Sequence, residues 1–161
     1  MSRNYQELGL NLQKIVNRLI ANDDLINLLY YTDIDPLGQE KLSQDIKKTL
    51  LNDLIYIVPK VDVREDSKSV LAIFVPKASS IGANSEFNNI SVAIDVMVPL
   101  QQWIIKDSNL RPFAIMGEIS NSLNGKTING LGKIKGGDFD LTVLTNEMSI
   151  YRQQFWITQY D

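Results

Sequence analysis

A glycine-rich segment at residues 124–137 contains the residue types of a phosphate-binding loop. It reads NGKTINGLGKIKGG, and its Gly125-Lys126-Thr127 matches the end of a P-loop. A P-loop holds phosphates with main-chain N–H groups and a lysine, and it needs another glycine five residues before the glycine that precedes the lysine. Ser120 occupies that position, so the spacing does not fit a P-loop.

The elements that flank this segment are also in the wrong order for a nucleotide site. A phosphate loop follows a strand and opens a helix, because the helix N-terminus binds the anion. Here a helix-like run, Pro112 to Leu123, comes first, and a strand-like run, Phe139 to Leu144, comes second. A dinucleotide fingerprint that starts at Gly130 fails as well, because its third glycine falls one residue late, at Gly136.

We therefore interpret residues 125–137 as a flexible glycine-rich loop after a helix C-cap, and we predict that no cofactor is bound. A small nucleotide-handling enzyme that uses the 124–137 loop stays open as an alternative. The loop contains Lys126, Lys133 and Lys135 and has no acid between residues 126 and 135. Such a basic loop can contact a polyanion weakly, although a solvated loop has the same composition.

The composition excludes several kinds of catalytic and metal site. The 161 residues include no cysteine and no histidine, which rules out disulfides, thiolate ligands, cysteine nucleophiles and a serine triad of the usual form. Asp33 and Asp35 supply at most two ligands from one turn, fewer than a hard cation takes. Any catalysis would depend on carboxylates, lysine or tyrosine, so we expect neither an enzyme nor a metal protein.

Length and hydropathy fit one domain, residues 1–161. Hydrophobic residues make up 44% of the chain, which is enough to form a core without cross-links. No apolar run approaches the roughly 20 residues of a membrane span, and the opening MSRNYQELGL lacks an apolar signal segment. We expect synthesis in a cytosol and no membrane partner. The net charge of −3 differs from the basic footprint of a dedicated nucleic-acid binder.

Hydrophobic periodicity predicts an α+β order of elements. Apolar residues at helical spacing favour helices at 4–21, 23–31, 39–52 and 107–124. Strand patterns occupy residues 54–61, 69–76, 89–100, 138–145 and 149–159. Residues 62–68 are predicted to form an exposed turn, and residues 77–88 are predicted to form a loop.

This order predicts a mostly antiparallel sheet of about four or five strands. We expect the N-terminal helix and the 112–124 helix to pack on one face of that sheet. The strand at 89–100 alternates most clearly, and Ile94 on its apolar face is predicted to be buried. Asp95 lies on the other face of the strand, where a carboxylate is usually exposed or salt-bridged.

The stretch from SNLRPF to QQFWI, between residues 107 and 158, resembles the C-terminal half of tail terminator and neck proteins of tailed bacteriophages. The shared pattern has a strand and a polar lead-in, a helix start at Arg111-Pro112 and a helix end at Asn124-Gly125-Lys126. A glycine-containing link and a terminal antiparallel pair of strands follow. The N-terminal helix is also similar, whereas residues 33–88 match no pattern of these proteins.

The resemblance implies a structural role in the virion, with the chain made in the cytoplasm of the host bacterium. Tail terminators form a ring, usually a hexamer, which caps the tail tube and then joins it to a head connector or neck protein. DNA passes through such a ring without specific binding, because an acidic lumen repels it and lets it slide. Lys126, Lys133 and Lys135 are then candidates for contacts in the channel.

Three aromatic residues, Phe87, Trp103 and Trp156, are candidates for contacts between subunits, because aromatic residues are enriched at interface hot spots. Each of them fits a core position equally well. Another neck, connector or baseplate component is the main alternative to a terminator, since residues 33–88 are not accounted for. A cytosolic adaptor that binds one host protein is a third interpretation.

Overall fold

The computed structural model describes residues 5–58, 68–80, 87, 89–128 and 132–158. Most of the turn predicted at residues 62–68 lies outside these ranges. The same holds for positions 81–86 and 88 of the predicted 77–88 loop and for positions 129–131 of the glycine-rich segment.

The described part of the chain forms four α-helices at positions where apolar residues recur at helical spacing. They are α1 (Tyr5–Ile20), α2 (Asp23–Tyr30), α3 (Gln44–Lys48) and α4 (Arg111–Leu123). The apolar stripe of α1 buries Leu12, Ile15 and Leu19 against the core. The helices predicted at 4–21 and 107–124 are therefore confirmed as α1 and α4.

Caps fix the ends of α2 and α4 as the sequence indicates. The side-chain oxygen of Asn22 accepts a hydrogen bond from the Leu25 amide at 3.1 Å, which begins α2. Pro112 lies in the first turn of α4, where its missing N–H does not cost a hydrogen bond. Gly125 follows the end of α4 with a φ of 73°, a left-handed conformation that glycine adopts without strain.

The third helix is much shorter than the predicted helix at 39–52. The hydroxyl of Ser43 accepts from the Ile46 amide at 3.3 Å and starts α3, and α3 ends after five residues. Leu42 and Leu50 are buried, but they lie before and after α3, while Ile46 within it is 37% exposed. The four-residue spacing of these three residues therefore belongs to a folded connection and not to one long helix.

Eight strands form two sheets within the described residues. They are β1 (Ile55–Tyr56), β2 (Val70–Ser79), β3 (Asn89–Pro99), β4 (Ile104–Ile105), β5 (Asn109–Leu110), β6 (Thr127–Ile128), β7 (Gly132–Leu144) and β8 (Met148–Thr158). The large sheet has the order β1-β2-β3-β8-β7-β6, and β4 pairs with β5 in a small second sheet. Every pairing is antiparallel except β1 with β2. The α+β fold with a mostly antiparallel sheet is confirmed, with one strand more than expected.

The two faces of the large sheet have different surroundings. Ile94 of β3 is opposite Gln153 of β8, and the Gln153 amide donates to the Met116 carbonyl of α4 at 3.2 Å. We call the side of the sheet that contacts α4 the helix face. Asp95 and its partner Arg152 lie on the opposite side, the outer face. The prediction that Ile94 is buried is confirmed, because its side chain is 0% exposed.

Asp95 on the outer face is salt-bridged. Its two carboxylate oxygens accept from Nε and Nη2 of Arg152 at 2.8 and 3.0 Å. The same guanidinium lies 5.0 Å from the ring centroid of Phe74 on β2. A bidentate pair of this kind holds a carboxylate that is only 5% exposed.

The glycine-rich segment differs from the predicted loop. Thr127 of β6 pairs with Lys133 of β7, so its two ends form a short hairpin. Ile134 is fully buried between the exposed Lys133 and Lys135, which is the alternation of a strand. The high glycine content of the segment conceals this pattern in the sequence. How mobile the segment is in solution stays a prediction.

Candidate interaction surface

Four aromatic rings contact one another on the helix face, where α4, β7 and β8 meet. The ring of Phe113 lies 5.9 Å from that of Phe139 and 5.6 Å from that of Tyr151, measured between centroids. Trp103 joins them at 6.4 Å from Phe113 and 6.1 Å from Tyr151. Such tilted and edge-to-face pairs are stabilising beyond the apolar area that they bury.

The aromatic cluster is open to solvent and continues along β7. Phe113 is 41% exposed and Phe139 is 48% exposed. Leu141 and Leu144 follow on the same side of β7 with 48% and 61% exposure. We call this surface the apolar strip; it comprises Trp103, Phe113, Phe139, Leu141, Leu144 and Tyr151. Contiguous exposed apolar surface of this kind marks sites where proteins bind other molecules.

Trp103 is fixed at one end of the apolar strip. Its indole N–H donates to the Ser149 hydroxyl at 2.9 Å, and this hydroxyl in turn donates to the Val98 carbonyl at 3.2 Å. The main-chain carbonyl of Trp103 accepts from the Arg111 amide at 2.7 Å. Because the polar atom of the indole is bonded inside the fold, the ring presents its apolar part to the strip.

Arg111 anchors the start of α4 beneath the strip. It is only 1% exposed, and its guanidinium donates to four main-chain carbonyls. Nε reaches Gln102 at 2.9 Å, Nη1 reaches Leu28 at 2.6 Å and Tyr31 at 2.8 Å, and Nη2 reaches Asp33 at 2.7 Å. Two of these oxygens lie at the C-terminal end of α2, where the helix dipole favours a cation.

Burial lowers the pKa of Arg111, and the nearby charge of Asp33 acts in the opposite direction. Arginine nevertheless keeps its proton in proteins, because its ordinary pKa is so high. The guanidinium therefore stays a charged donor that connects α2, the connection after it and α4. These contacts fix the position of Phe113 two residues further along α4.

Gln153 fastens the other side of α4 to the sheet. Its side-chain amide nitrogen lies 3.1 Å from the Ser120 hydroxyl and 3.3 Å from the Gly137 carbonyl, in addition to its bond to Met116. Gln153 is 2% exposed. It therefore links β8, α4 and β7 next to Phe139, which is its partner across the two strands.

β7 exposes a strand edge next to the strip. Its outer neighbour β6 pairs with it only at Gly132 and Lys133. In the part of the chain that the structure describes, no strand lies beside residues 137–144 on that side. Unpaired N–H and C=O groups on an edge can pair with another chain. Exposed Asp138 and Asp140 on this edge limit indiscriminate pairing.

The structure separates the three aromatic residues proposed from the sequence. Trp103 belongs to the apolar strip, whereas Trp156 is 44% exposed on the outer face. Phe87 is only 7% exposed and its ring lies 5.3 Å from that of Tyr5, so it is a core residue. Phe87 therefore takes the core position that the sequence left open as the alternative to an interface. Whether the two tryptophans contact a partner stays a prediction.

The three lysines of the glycine-rich segment are all exposed. Lys133 and Lys135 lie on the outer face, because their partners in β8 are Thr158 and Trp156. Lys126 precedes β6 at the end of the hairpin. The lysines therefore project from a hairpin, where the sequence predicted a loop.

The Gly-Lys-Thr motif does not form a phosphate loop. The Gly125 amide donates to the Ile134 carbonyl at 2.7 Å, and the Lys126 amide donates to the Leu123 carbonyl at 3.1 Å. A phosphate loop needs such amides free to bind the anion. Here they close the end of α4 and join it to β7, so the motif is a helix stop.

The carboxylates of Asp33 and Asp35 do not point together at a site for a metal ion. One oxygen of Asp35 accepts from the Gly38 amide at 3.1 Å, and the other lies 3.5 Å from the Lys106 ammonium. Asp33 contributes its main-chain oxygen to Arg111. No cluster of three or more acidic, histidine or cysteine side chains suited to a metal is found among the residues described.

The described residues form an α+β fold whose exposed features include the apolar strip, the open edge of β7 and the lysines of the outer face. A model of the YomW family matches residues 22–157, which include the whole apolar strip. The chain therefore belongs to the YomW family. This family derives from Bacillus phage, so the chain is a phage-related protein. None of the curated proteins matches the chain.

A membrane-spanning helix is not among the elements that the structure describes, since none is both long and apolar enough.

Proposed function

We propose that this phage-related protein is a tail terminator. In this proposal its copies close into a ring, of six subunits according to the resemblance, that caps the tail tube and joins it to the head. Membership of the YomW family supports a role in a phage. The resemblance of residues 107–158 to terminator and neck proteins supports the more specific role.

The observation that carries the proposal is the apolar strip. Phe113, Phe139, Leu141 and Leu144 expose between 41% and 61% of their side chains along one side of α4 and β7. Fully burying a fully exposed side chain of this size stabilises by about 1.5–3 kcal/mol, so covering one that is already half-buried contributes roughly half as much. Covering the strip with another copy of the chain would remove this apolar surface from water, and a ring does so for every subunit.

A ring requires a heterologous contact, in which the strip of one copy meets a different surface of the next. The open edge of β7 lies beside the strip and can add main-chain hydrogen bonds to that contact. The hydrogen bonds of Trp103 and Arg111 also support the proposal, because they hold the strip in one conformation. A rigid surface loses little entropy when a neighbour binds.

The completed ring would contact tail tube protein on one side and a head connector or neck protein on the other. DNA would pass through its centre without specific binding, and the net charge of −3 favours such passage. The protein would be made in the cytoplasm of the host bacterium and retained in the virion. This role needs no cofactor and no catalytic site.

The mass of the purified protein, with and without phage tail tubes, tests assembly. Light scattering should detect particles of about six times the 18.2 kDa chain mass, and electron microscopy should show rings with a central hole. Leu141→Asp places a charge in the strip and should abolish the particles. Gln154→Lys, which adds one charge at an exposed position of the outer face opposite Asp138, is the matched control and should assemble normally.

Both variants should melt at the temperature of the parent protein, because both positions are exposed on the sheet. If rings form equally well with Leu141→Asp, the apolar strip is not part of the interface between subunits. A protein that stays monomeric even on tail tubes would contradict the ring itself.

A further inference from the structure

The outer face of the sheet groups lysines around an exposed tryptophan. Trp156 of β8 is the partner of Lys135 on β7 and of Ser91 on β3, and Ser91 is the partner of Lys77 on β2. Directly opposite residues of an antiparallel pair have their side chains on the same face. Lys77, Trp156 and Lys135 therefore lie in one row across the sheet, and all three are exposed.

A second row lies two residues further along the strands, at a distance of about 7 Å. It contains Lys133 opposite Thr158, with Asn89 on the far side of Thr158. Among the described residues of these two rows there are three lysines and no acid. The row that adjoins the Trp156 row on the other side contains the first acid, Asp138 opposite Gln154. Positive charge is thus concentrated here in a chain whose net charge is −3.

Trp156 has the exposure of a binding residue. Its side chain is 44% exposed, although removing the apolar surface of an indole from water is favourable. On the β7 side it lies over Gly136, where an added Cβ would come within 3.2 Å of the indole Cζ3 atom. Gly136, with a φ of 132°, thus leaves room for the indole to lie against the main chain.

The lysines are placed on both sides of the indole. Lys135 is one strand away, about 5 Å, and Lys77 is two strands away in the opposite direction, about 10 Å. Surfaces that bind single-stranded nucleic acid combine an aromatic ring, on which a base stacks, with cations that follow the phosphates. A duplex keeps its bases stacked internally, so it could use only the lysines.

We propose that this basic face, Lys77, Lys133, Lys135 and Trp156, binds single-stranded nucleic acid without sequence preference. A base stacks on the Trp156 indole, and the phosphates on either side of it pair with the lysines. The site lies on the opposite side of the sheet from the apolar strip. It does not depend on ring formation, and it goes beyond the proposed role as a terminator.

Fluorescence anisotropy of a labelled oligothymidylate with the full chain at low salt tests this proposal. Trp156→Ala should weaken binding about tenfold, the effect of losing one stacked base. Trp156→Phe should restore most of the affinity, because a phenyl ring still stacks. Phe113→Ala is the matched aromatic control, since Phe113 has similar exposure on the helix face, and it should bind like the parent.

The salt dependence measures the part played by the lysines. Three phosphate contacts give a slope of log K against log salt of about −2 for a single strand, and Lys135→Gln should reduce its magnitude by about 0.7. Lys48→Gln removes the same charge from an exposed position on α3 and should leave the slope unchanged. Thermal melting of each variant shows that the fold is retained.

Three results would overturn the proposal. The first is an absence of binding at low salt. The second is a change of less than twofold with Trp156→Ala, and the third is equal affinity for duplex DNA or heparin. None of these results bears on assembly, because Leu141→Asp tests the opposite face of the sheet.

Discussion

The guanidinium of Arg111 donates to the main-chain oxygen of Leu28 across 2.6 Å, although 83 positions separate the two residues in the chain. With its three further carbonyl partners, Arg111 connects α2 and the connection after it to the start of α4. Arg111 thereby donates three hydrogen bonds from the C-terminal half of the sequence to the N-terminal half.

Arg111→Ala should lower the free energy of unfolding by at least about 3 kcal/mol, because it leaves buried carbonyls without donors. Arg18→Ala is the matched control. Arg18 is exposed and donates a single bond of 3.3 Å to the Ser122 carbonyl, so its loss should cost about 1 kcal/mol or less. Urea unfolding of the two variants measures both values, and equal losses would show that the four bonds have no special weight.

Ile94→Asp should prevent stable folding. The side chain is 0% exposed at the centre of β3, and an unpaired buried charge costs several kcal/mol against a total stability of about 5–15 kcal/mol. Asn89→Asp, at the exposed start of the same strand, should be nearly neutral. Circular dichroism melts distinguish these outcomes, and a parent-like melt of Ile94→Asp would contradict the assignment of the two faces.

The ion pair between Asp23 and Lys47 should stabilise the protein except in acid. The hydrogen bond from the Lys47 ammonium is the main cause that holds the pKa of Asp23 below its ordinary 3.8. Since the folded pKa is lowered, the stabilisation is present above pH 3.8 and is lost as the pH falls through the folded value. The stability difference between the parent and Asp23→Asn should therefore shrink as the pH falls below 3.8 and through the lowered pKa of Asp23.

Asp53→Asn provides the control for this pH dependence. Asp53 forms an ion pair with Lys68 in which both side chains are about half exposed, at 53% and 52%. Exposed pairs of this kind contribute little, so this variant should differ little from the parent at every pH. A difference between the parent and Asp23→Asn that stays constant into acid would contradict the role of the Asp23 carboxylate.

The Gly-Lys-Thr motif should matter for stability through its glycine and not through its lysine. Gly125 has a φ of 73°, so Gly125→Ala should destabilise by about 1 kcal/mol. Lys126→Ala should leave stability unchanged, because this lysine is exposed. Neither ATP nor GTP should raise the melting temperature of the parent. Micromolar nucleotide binding that Lys126→Ala abolishes would overturn the interpretation of the motif as a helix stop.

Local signals in the sequence were sufficient for much of the fold. Helices α1, α2 and α4 follow from spacing and caps, and β3 and β8 follow from alternation. Signals of this kind depend on neighbours in the chain. The sequence does not indicate the glycine-rich hairpin, because the buried Ile134 is a single apolar residue among glycines and lysines, too short a pattern to predict a strand.

The candidate surface was harder to predict, because it depends on contacts between distant residues. The helical spacing of Phe113 with Met116 and Ile119 is typical of one buried stripe. Met116 and Ile119 are buried, whereas Phe113 lies at the edge of the sheet beside Phe139 and stays exposed. Similarly, no pattern in the sequence indicates that a charged residue at the start of α4 is buried by carbonyls of α2 and the connection after it.

The phenotype of a phage that lacks this protein tests the terminator proposal most directly. Electron microscopy of lysates should show tails of uncontrolled length, or finished tails that fail to join heads. Supplying the parent chain should restore virions, and supplying Leu141→Asp should not. Normal virions from the phage without this protein would contradict the proposed function.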